Sequence, residues 1–319
     1  MLEIGKFTIN SKCRDDITLP PMTASTLRGA FGINLKSTVC AFNSRKKCDK
    51  CLLKNQCLYS TLFQTTNGII DEDGDLEAHT PPRPFVINSP FYDRPTKFPN
   101  NSNLSWELIL VGTENIKRIP YIITAIERMG NKGLGKDRGK FKIENIIQEN
   151  SQDSTIIYKN NDKTVKNNTE NIILNLPRQT SESYSRVKVN FLSPMRIKKD
   201  GKITDQITFK NLIKNILRRY SFLKKYYQPD SSYPDTDQVE KILSKAENGE
   251  SEDSNLEWKK YSRYSNRKNM WMDFAGVQGE IIFKGEIAGF LPYLEIGSQI
   301  NVGKSTCFGF GNYSYEKLE

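Results

Sequence analysis

The chain has 319 residues, a length typical of two domains, and its 47 Lys and Arg exceed its 37 Asp and Glu to give a net charge of +10. This excess favours a polyanionic partner, and the absence of any apolar run near the roughly 18 residues of a membrane span predicts that there is no membrane partner. The first residues lack the apolar core of a signal peptide, so we expect a cytoplasmic protein. A single His excludes a metal site built from several histidines.

The first half of the chain predicts one domain of mixed α+β class. Its elements alternate in the order β-α-β-β-α-β, which is the order of the ferredoxin-like fold, also called RRM-like. We therefore place an N-terminal ferredoxin-like domain at residues 1–148. The elements are a strand at 2–10, a helix with Leu27, Phe31, Leu35 and Val39 on one face, strands at 84–87 and 104–112, a helix opened by Pro120, and a strand at 141–147.

A polar segment separates this domain from a second one. Residues 149–184 are rich in Asn, Asp, Lys and Ser, which predicts a linker interrupted by one strand-like run, IILNL. The second domain, at 185–319, repeats the order with a strand, a long amphipathic helix at 208–227, two apolar runs, a short helix and a last strand. A polar stretch at 228–255 reads as an insertion loop that contains a short helix.

An internal similarity supports duplication. Residues 119–143 and 291–315 each place a Pro-Tyr pair at the start of a helix, followed by a loop with several glycines and then a strand. Together with the repeated order of elements, this predicts two tandem ferredoxin-like domains.

Four cysteines lie in an insert within the first domain, CAFNSRKKCDKCLLKNQC. Four thiolates can close a tetrahedral site, and the Cys-x2-Cys pair has a spacing typical of structural zinc. An iron–sulfur cluster is less favoured because the spacing differs from the common ferredoxin runs. Four unligated thiols are the third alternative. The predicted zinc ligands are Cys40, Cys48, Cys51 and Cys57.

Basic residues concentrate at 259–268, KKYSRYSNRK, where five cations alternate with two tyrosines and no acid occurs. Cations neutralise phosphates and tyrosine rings can stack on unpaired bases, so this pattern suits RNA. A solvated charged loop is the alternative. Two glycine-rich loops add further cations, with Lys136 and Arg138 in the first and Lys304 in the second. Their glycines can admit phosphate oxygens close to the backbone or simply form tight turns.

The chain resembles the CRISPR-associated precursor-crRNA processing endoribonucleases of the RAMP superfamily. The matching stretches occur in the same order along nearly the whole chain. They are STLRGAFG (25–32), the four-Cys insert with CLYSTLF, PPRPFVI (81–87), RIPYIITAIERMGNKGLGKDRGKF (118–141), FLSPMRIK (191–198), RYSNRKNM (263–270) and INVGKSTCFGFGNY (300–313).

This resemblance implies repeat-RNA binding and cleavage without a catalytic metal, through attack of a ribose 2′-hydroxyl that leaves a 2′,3′-cyclic phosphate. It also implies CRISPR RNA as the partner, with other CRISPR effector subunits as further partners. Arg28 matches an Arg-Gly pair carried on a helix near the start of the family's sequence. The RNA-binding residues that we expect are Arg28, Lys136, Arg138, Arg263, Arg267, Lys268, Gly303, Gly309 and Gly311.

The chain departs from the family at the catalytic position. Similar proteins often have a His before the Gly-Lys of the last loop, where this chain has Asn301. The candidates for catalysis are therefore His79 and Tyr264 as acid or base and Lys304 as support for the transition state. A non-catalytic RNA-binding subunit of the same fold is the alternative that Asn301 favours, and a zinc-stabilised module for protein assembly is a third.

Overall fold

The computed structural model describes residues 1–42, 48–64, 81–150, 152–162, 164–166, 170–176, 185–199, 201–228, 236–265 and 269–318. The chain divides into two units. One comprises Leu2–Ile173 with Tyr226–Pro229, and the other comprises Met1, Leu174–Lys225 and Asp230–Glu319.

The N-terminal unit contains one main sheet with helices on one face. The strand order is β3-β5-β1-β6-β7, and β8 also pairs with β1. The first four positions of this order are those of a ferredoxin-like sheet. The elements are β1 (Leu2–Cys13), β2 (Ile17–Leu19), α1 (Thr23–Val39), β3 (Phe85–Asn88), β4 (Thr96–Phe98), β5 (Asn103–Val111), α2 (Thr113–Ile116), α3 (Ile119–Lys132), β6 (Phe141–Glu149), β7 (Ser154–Lys159) and β8 (Ile172–Leu174).

Alternation along β1 decides which face of this sheet is covered. Phe7 and Ile9 are buried, whereas the alternating residues Lys6 and Thr8 are only partly buried. In a strand, successive side chains point to opposite faces, so the helices α1 and α3 pack on the face that carries Phe7. The predicted apolar stripe of α1 is buried there, apart from Val39 at the end of the helix.

The segment expected to be a linker, 149–184, differs from that expectation. β7 pairs with β6, with Ile146 opposite Tyr158, and the N-terminal unit extends to Ile173 rather than ending at residue 148. The polar composition hid this strand because β7 lies at the sheet edge and buries only two adjacent side chains, Ile157 and Tyr158.

The C-terminal unit has the same architecture. Its sheet has the order β12-β13-β9-β14, which is again the ferredoxin-like order. The tandem ferredoxin-like fold predicted from the sequence is therefore confirmed. The elements are β9 (Arg186–Met195), β10 (Lys198–Lys199), β11 (Lys202–Ile203), α4 (Phe209–Tyr227), α5 (Thr236–Lys245), β12 (Glu250–Ser265), β13 (Met270–Lys284), α6 (Leu291–Ile300) and β14 (Tyr313–Leu318).

The long helix α4 packs through one face. Its predicted stripe is buried, including Leu212, Ile216 and Tyr220, while cations such as Arg218 occupy other faces. The side-chain oxygen of Thr208 accepts a hydrogen bond from the Asn211 backbone N–H and so caps the start of the helix. Within the described ranges, no helix is both long and apolar enough to cross a membrane.

The basic segment at 259–268 is not simply a loop. Residues 259–265 belong to β12, which forms a long hairpin with β13 and begins at Glu250, inside the segment expected to be an insertion loop. Most side chains of β12 are exposed, so the strand lacks the alternation of apolar residues by which a strand is recognised in sequence.

Candidate nucleic-acid interface

The glycine-rich loop at 301–311 connects α6 to β14 and follows an unusual backbone path. Gly303 and Gly311 have φ values of 91° and 73°, a region that residues with a Cβ rarely adopt. A Cβ on Gly303 would lie 2.6 Å from the Arg196 carbonyl oxygen, and one on Gly311 would lie 1.8 Å from that of Val302. Gly309 also has a positive φ, of 80°. These glycines therefore allow the loop to fold closely onto its neighbours.

Hydrogen bonds hold the loop in this path. The Val302 N–H donates to the Gly311 carbonyl at 2.9 Å, and the Lys304 N–H donates to the Arg196 carbonyl at 2.9 Å. Arg219 of α4 donates through Nε to the Ile300 carbonyl at 2.8 Å and anchors the helix end that precedes the loop. The backbone of Lys304 is therefore hydrogen-bonded to the segment that follows β9.

Asn301 contributes to the same framework. Its side chain is fully buried, and Nδ2 donates to the Phe310 carbonyl at 3.0 Å. The position that often holds a His in similar proteins therefore closes the loop in this chain. An amide does not titrate near neutrality, so Asn301 cannot act as an acid or a base.

Three cations lie together at this loop. Partial burial, together with repulsion from the nearby charges of Arg218 and Lys198, lowers the pKa of Lys304. The three side chains come from the loop, α4 and β10. Burial is the larger cause of the lowered pKa. The repulsion from Arg218 and Lys198 adds positive potential at Lys304, which attracts anions.

Aromatic rings support two further guanidinium groups beside the loop. The Arg196 guanidinium carbon lies 5.0 Å from the ring centre of Phe274 and 5.3 Å from that of Phe310. That of Arg263 lies 4.6 Å from the ring centre of Phe308. These are cation–π distances, and the flat rings hold the guanidinium groups in place.

Arg196 is the main residue of this site that we did not single out from the sequence. Its Nε and Nη1 atoms are buried and have no hydrogen-bond partner among the described residues, and burial lowers its pKa. Arginine nevertheless stays charged, so donors of this kind favour an anionic ligand. The sequence feature that could have pointed to Arg196 is its position directly after β9, in the stretch FLSPMRIK, which carries part of the family resemblance.

Tyr264 lies apart from this cluster. It follows Arg263 in β12, so the two side chains point to opposite faces of the hairpin. The Tyr264 ring contacts Trp271 edge to face at 5.8 Å between ring centres, and its hydroxyl donates to the Asn269 side chain. Trp271 is 66% exposed and Tyr264 is 44% exposed. The structure therefore brings Arg263 to the glycine loop and leaves Tyr264 in an exposed aromatic pair.

The predicted residues of the N-terminal unit occupy two places. Arg28 on α1 is half-buried, with its guanidinium carbon 5.1 Å from the ring centre of Phe63. Lys136 and Arg138 are exposed in the loop between α3 and β6, and Arg138 has a left-handed backbone with a φ of 51°. His79, Arg267 and Lys268 lie outside the described residues.

The predicted zinc ligands are not gathered into a site. Cys40 follows α1, Cys48 and Cys51 flank a single helical turn, and Cys57 donates its N–H to the Leu53 carbonyl. All four are half-buried. No group of three or more His, Cys, Asp or Glu among the described residues could hold a metal ion. This arrangement gives the expected zinc no support.

Two family models match the chain, and between them they span nearly all of it. Residues 2–170 match the AF_1859 N-terminal domain, which is slightly more than half of the chain. Residues 189–313 match the CRISPR-associated endoribonuclease Cas6. No curated protein sequence matches the chain.

Solved structures of Cas6 proteins share the fold. A Cas6 product complex is similar over 99% of this chain and 100% of its own, with a TM-score of 0.58 and 12% identity. Cas6 of Thermus thermophilus is similar over 99% of both chains, with a TM-score of 0.53 and 12% identity. A partial Cas6-RT-Cas1–Cas2 complex is similar over 100% of this chain and 46% of its own, with a TM-score of 0.55 and 12% identity.

Proposed function

This chain belongs to the Cas6 family of CRISPR-associated proteins, and from that premise we propose that it binds the repeat RNA of CRISPR transcripts and cleaves it to release crRNA. The observation that carries this proposal is the convergence of Lys304, Arg218 and Lys198 at a rigid glycine loop. Lys304, which Arg218 and Lys198 repel, is stabilised when a phosphate binds beside it. An RNA backbone supplies such phosphates, and the net charge of +10 favours its approach.

The proposed reaction is transesterification within the RNA, without a catalytic metal. The ribose 2′-oxygen attacks the adjacent phosphorus, the bond from phosphorus to the 5′-oxygen breaks, and the products carry a 2′,3′-cyclic phosphate and a 5′-hydroxyl. One group must accept the proton of the 2′-hydroxyl and another must supply a proton to the leaving 5′-oxygen. Negative charge grows on the non-bridging oxygens in the transition state, where a fixed cation is most effective.

We assign that cationic role to Lys304. Its backbone N–H is bonded to the Arg196 carbonyl, so the start of its side chain is positioned before RNA binds. His79 and Tyr264 stay our predictions for the proton transfers, and the position of Tyr264 apart from the loop of Lys304 gives its catalytic role no support. Tyr264 also has a binding role in this scheme, because its ring and that of Trp271 are exposed and can stack on an unpaired base.

Other cations complete the RNA path in this proposal. Arg263 is held on Phe308 beside the loop, and Arg267 and Lys268 follow it in sequence. Other CRISPR subunits are proposed partners, since Cas6 occurs joined to Cas1–Cas2 in one of the similar structures. We also retain Arg28 as a proposed RNA-binding residue, although its packing on Phe63 suits a role in holding α1.

Incubation with repeat RNA in excess EDTA tests the proposal. We expect one main cut in each repeat, with a 2′,3′-cyclic phosphate on the upstream product. The matched control is the same RNA with a 2′-deoxyribose at the cut, which removes the attacking oxygen while leaving every phosphate. Cleavage of this control, or dependence on added metal, would contradict the mechanism, and intact RNA across all tested repeats would remove the nuclease function.

A second candidate function is a non-catalytic subunit that holds crRNA. Asn301 favours it, because that position is buried and cannot titrate. Tight binding of repeat RNA without any turnover would select this function. In that case, Lys304→Ala would weaken binding and change no reaction rate.

A further inference from the structure

We infer that the N-terminal domain carries a second phosphate-binding surface, formed by Lys12, Arg14, Lys140 and Lys142 where β1 ends and β6 begins. We call these four residues the cation square. The inference rests on the proposed function for the identity of its ligand, which is the sugar–phosphate backbone of the RNA away from the cut.

Strand register brings the four side chains together. Lys12 lies directly opposite Lys142 in the antiparallel pair of β1 and β6. One step further, the Arg14 N–H donates to the Lys140 carbonyl at 2.8 Å. Successive side chains in a strand point to opposite faces, so Lys12 and its partner Lys142 project from one face of the sheet, and Arg14 and Lys140 follow directly at its end. It is the face opposite Phe7 and the packed helices, and all four side chains are exposed.

Such an arrangement costs stability in the free protein. Like charges directly opposite each other on neighbouring strands repel, and opposite charges at those positions are the stabilising choice. The same sheet uses that choice elsewhere, because Lys6 and Glu149 are also cross-strand partners and form an ion pair of 2.8 Å. Two successive like-charge pairs at the end of the same ladder therefore favour an anion supplied from outside.

The two acids that follow Arg14 in the sequence already have hydrogen-bond partners. The Asp15 carboxylate accepts the backbone N–H of Lys140, at 3.0 Å. The Asp16 carboxylate pairs with Lys97 at 2.7 Å and accepts the Asn100 N–H. In the part of the chain that the structure describes, none of the four square side chains forms an ion pair.

The glycine loop of this domain extends the same surface. It runs directly into Lys140 and carries Lys136 and Arg138, both exposed. Gly139 packs so closely that a Cβ would lie 2.3 Å from the Asp16 carbonyl oxygen, which fixes the loop against the end of β1. The left-handed backbone of Arg138 is uncommon for a residue with a side chain, and such conformations occur often at ligand-binding sites.

The chemistry of the square selects a backbone ligand. It consists of ammonium and guanidinium groups for which the described part of the chain shows no aromatic partner, so it can neutralise phosphates but offers no ring there on which a base could stack. The surface should therefore add affinity for any RNA sequence and leave the chemical step unchanged. A uniform loss of binding appears in KM and leaves kcat constant.

The test uses the full chain with the double substitution Lys12→Gln and Lys142→Gln. Relative to the native chain, we expect affinity for repeat RNA to fall about tenfold near 0.1 M salt. The slope of log affinity against log salt should become shallower by about 1.4–1.8, for two lost phosphate contacts. The melting temperature should stay equal or rise by up to about 2 °C, because one repulsive pair is removed.

The matched control is Lys117→Gln. Lys117 is an exposed lysine of the same domain that pairs with Glu114 at 2.9 Å, and we expect it to change neither affinity nor salt slope. Arg14→Gln with Lys140→Gln is the second variant, and it should reproduce the effect of the first. Affinity is measured for repeat RNA and for an oligouridylate of equal length, and both should weaken to a similar extent.

The outcomes separate this inference from the proposed function. If the native chain binds repeat RNA and both double variants bind it with the same affinity and salt slope, the cation square alone is overturned. A fall in melting temperature would also overturn it, since the lysines would then stabilise the fold. If the native chain binds oligouridylate but neither recognises nor cleaves repeat RNA, the proposed function is removed. In that case, weaker oligouridylate binding by both double variants would still support the cation square. A native chain that binds neither RNA would overturn both.

Discussion

The two glycine-rich loops follow corresponding helices, α3 and α6, in two domains of the same fold, but their surroundings differ. The C-terminal loop is packed among Phe274, Phe308 and Phe310 and is closed by the buried Asn301. The N-terminal loop has no aromatic residue between Gly133 and Gly139, and its cations are exposed. One topology therefore supports a loop with aromatic packing in one domain and a loop without aromatic residues, rich in exposed cations, in the other.

Because of this difference, we expect the two domains to have different roles. A cation that stabilises a transition state must be held in place before the reaction, which the backbone hydrogen bond of Lys304 to Arg196 and the aromatic packing of its loop favour. A cation that neutralises backbone phosphate needs only proximity and exposure, which Lys136 and Arg138 have. We therefore expect changes in the C-terminal loop to affect rate and folding, and changes in the N-terminal loop to affect affinity.

The largest expected effect is on the rate. Lys304→Ala should lower the single-turnover cleavage rate at saturating repeat RNA about 100- to 1000-fold, because it removes a fixed cation from the developing charge. Lys136→Ala should instead weaken binding about threefold through one lost phosphate contact. Lys241→Ala, an exposed lysine of α5, serves as the control. Equal effects of Lys304→Ala and Lys136→Ala on rate would break the comparison.

The next effect is on folding. Gly311→Ala should lower the free energy of unfolding by about 3 kcal/mol, because the Cβ meets the Val302 carbonyl and φ is 73°. Gly201→Ala is matched, since its φ is 80° but no atom lies within 4 Å of the new Cβ, and it should cost about 1 kcal/mol. Denaturant unfolding measures both, and similar losses would show that the packing of the loop is unimportant.

A smaller effect should follow from Arg196→Lys. The ammonium keeps the charge but loses the flat stacking on Phe274 and Phe310, so stability should fall by about 1 kcal/mol and RNA affinity several-fold. Thermal melting and filter binding provide the two readouts. An affinity equal to that of the native chain would indicate that this guanidinium only packs.

The smallest effect concerns pH. Because the pKa of Lys304 is lowered, its proton is lost below the ordinary lysine range, and RNA affinity should begin to fall there as pH rises. The stability of the free protein should change in the opposite direction. Folding disfavours the protonated form of Lys304, so the free energy of unfolding rises as pH passes through the lowered pKa. Lys304→Arg should remove this early step in a titration of affinity against pH. An identical titration in the variant would contradict the assignment.

Much of the fold follows from local pattern in the sequence. The stripe of α4 and the alternation of β1 predicted their elements because burial repeats with the period of the helix or strand. β7 and β12 were not predicted from the sequence because each buries few apolar side chains. Pairing with a neighbouring strand defines them instead. The cysteine spacing predicted a metal site, but whether four thiols meet depends on the path of the chain between them.

The candidate site divides in the same way. Lys304, Arg263 and the glycines of the last loop were identified from sequence, since composition and spacing mark them directly. Arg196 and Lys198, which follow β9, and Arg218 of α4 joined Lys304 only through the tertiary structure, because both segments are distant from the last loop in sequence.

The sequence by itself determined the order of the elements, the duplication and the excess of positive charge, because local patterns and residue counts are enough to establish them. Only the tertiary structure decided where those charges meet. The register of β1 against β6 sets Lys12 opposite Lys142, and a shift of one residue would turn one of these side chains to the other face. Charge interactions depend on distance in space, and folding sets that distance.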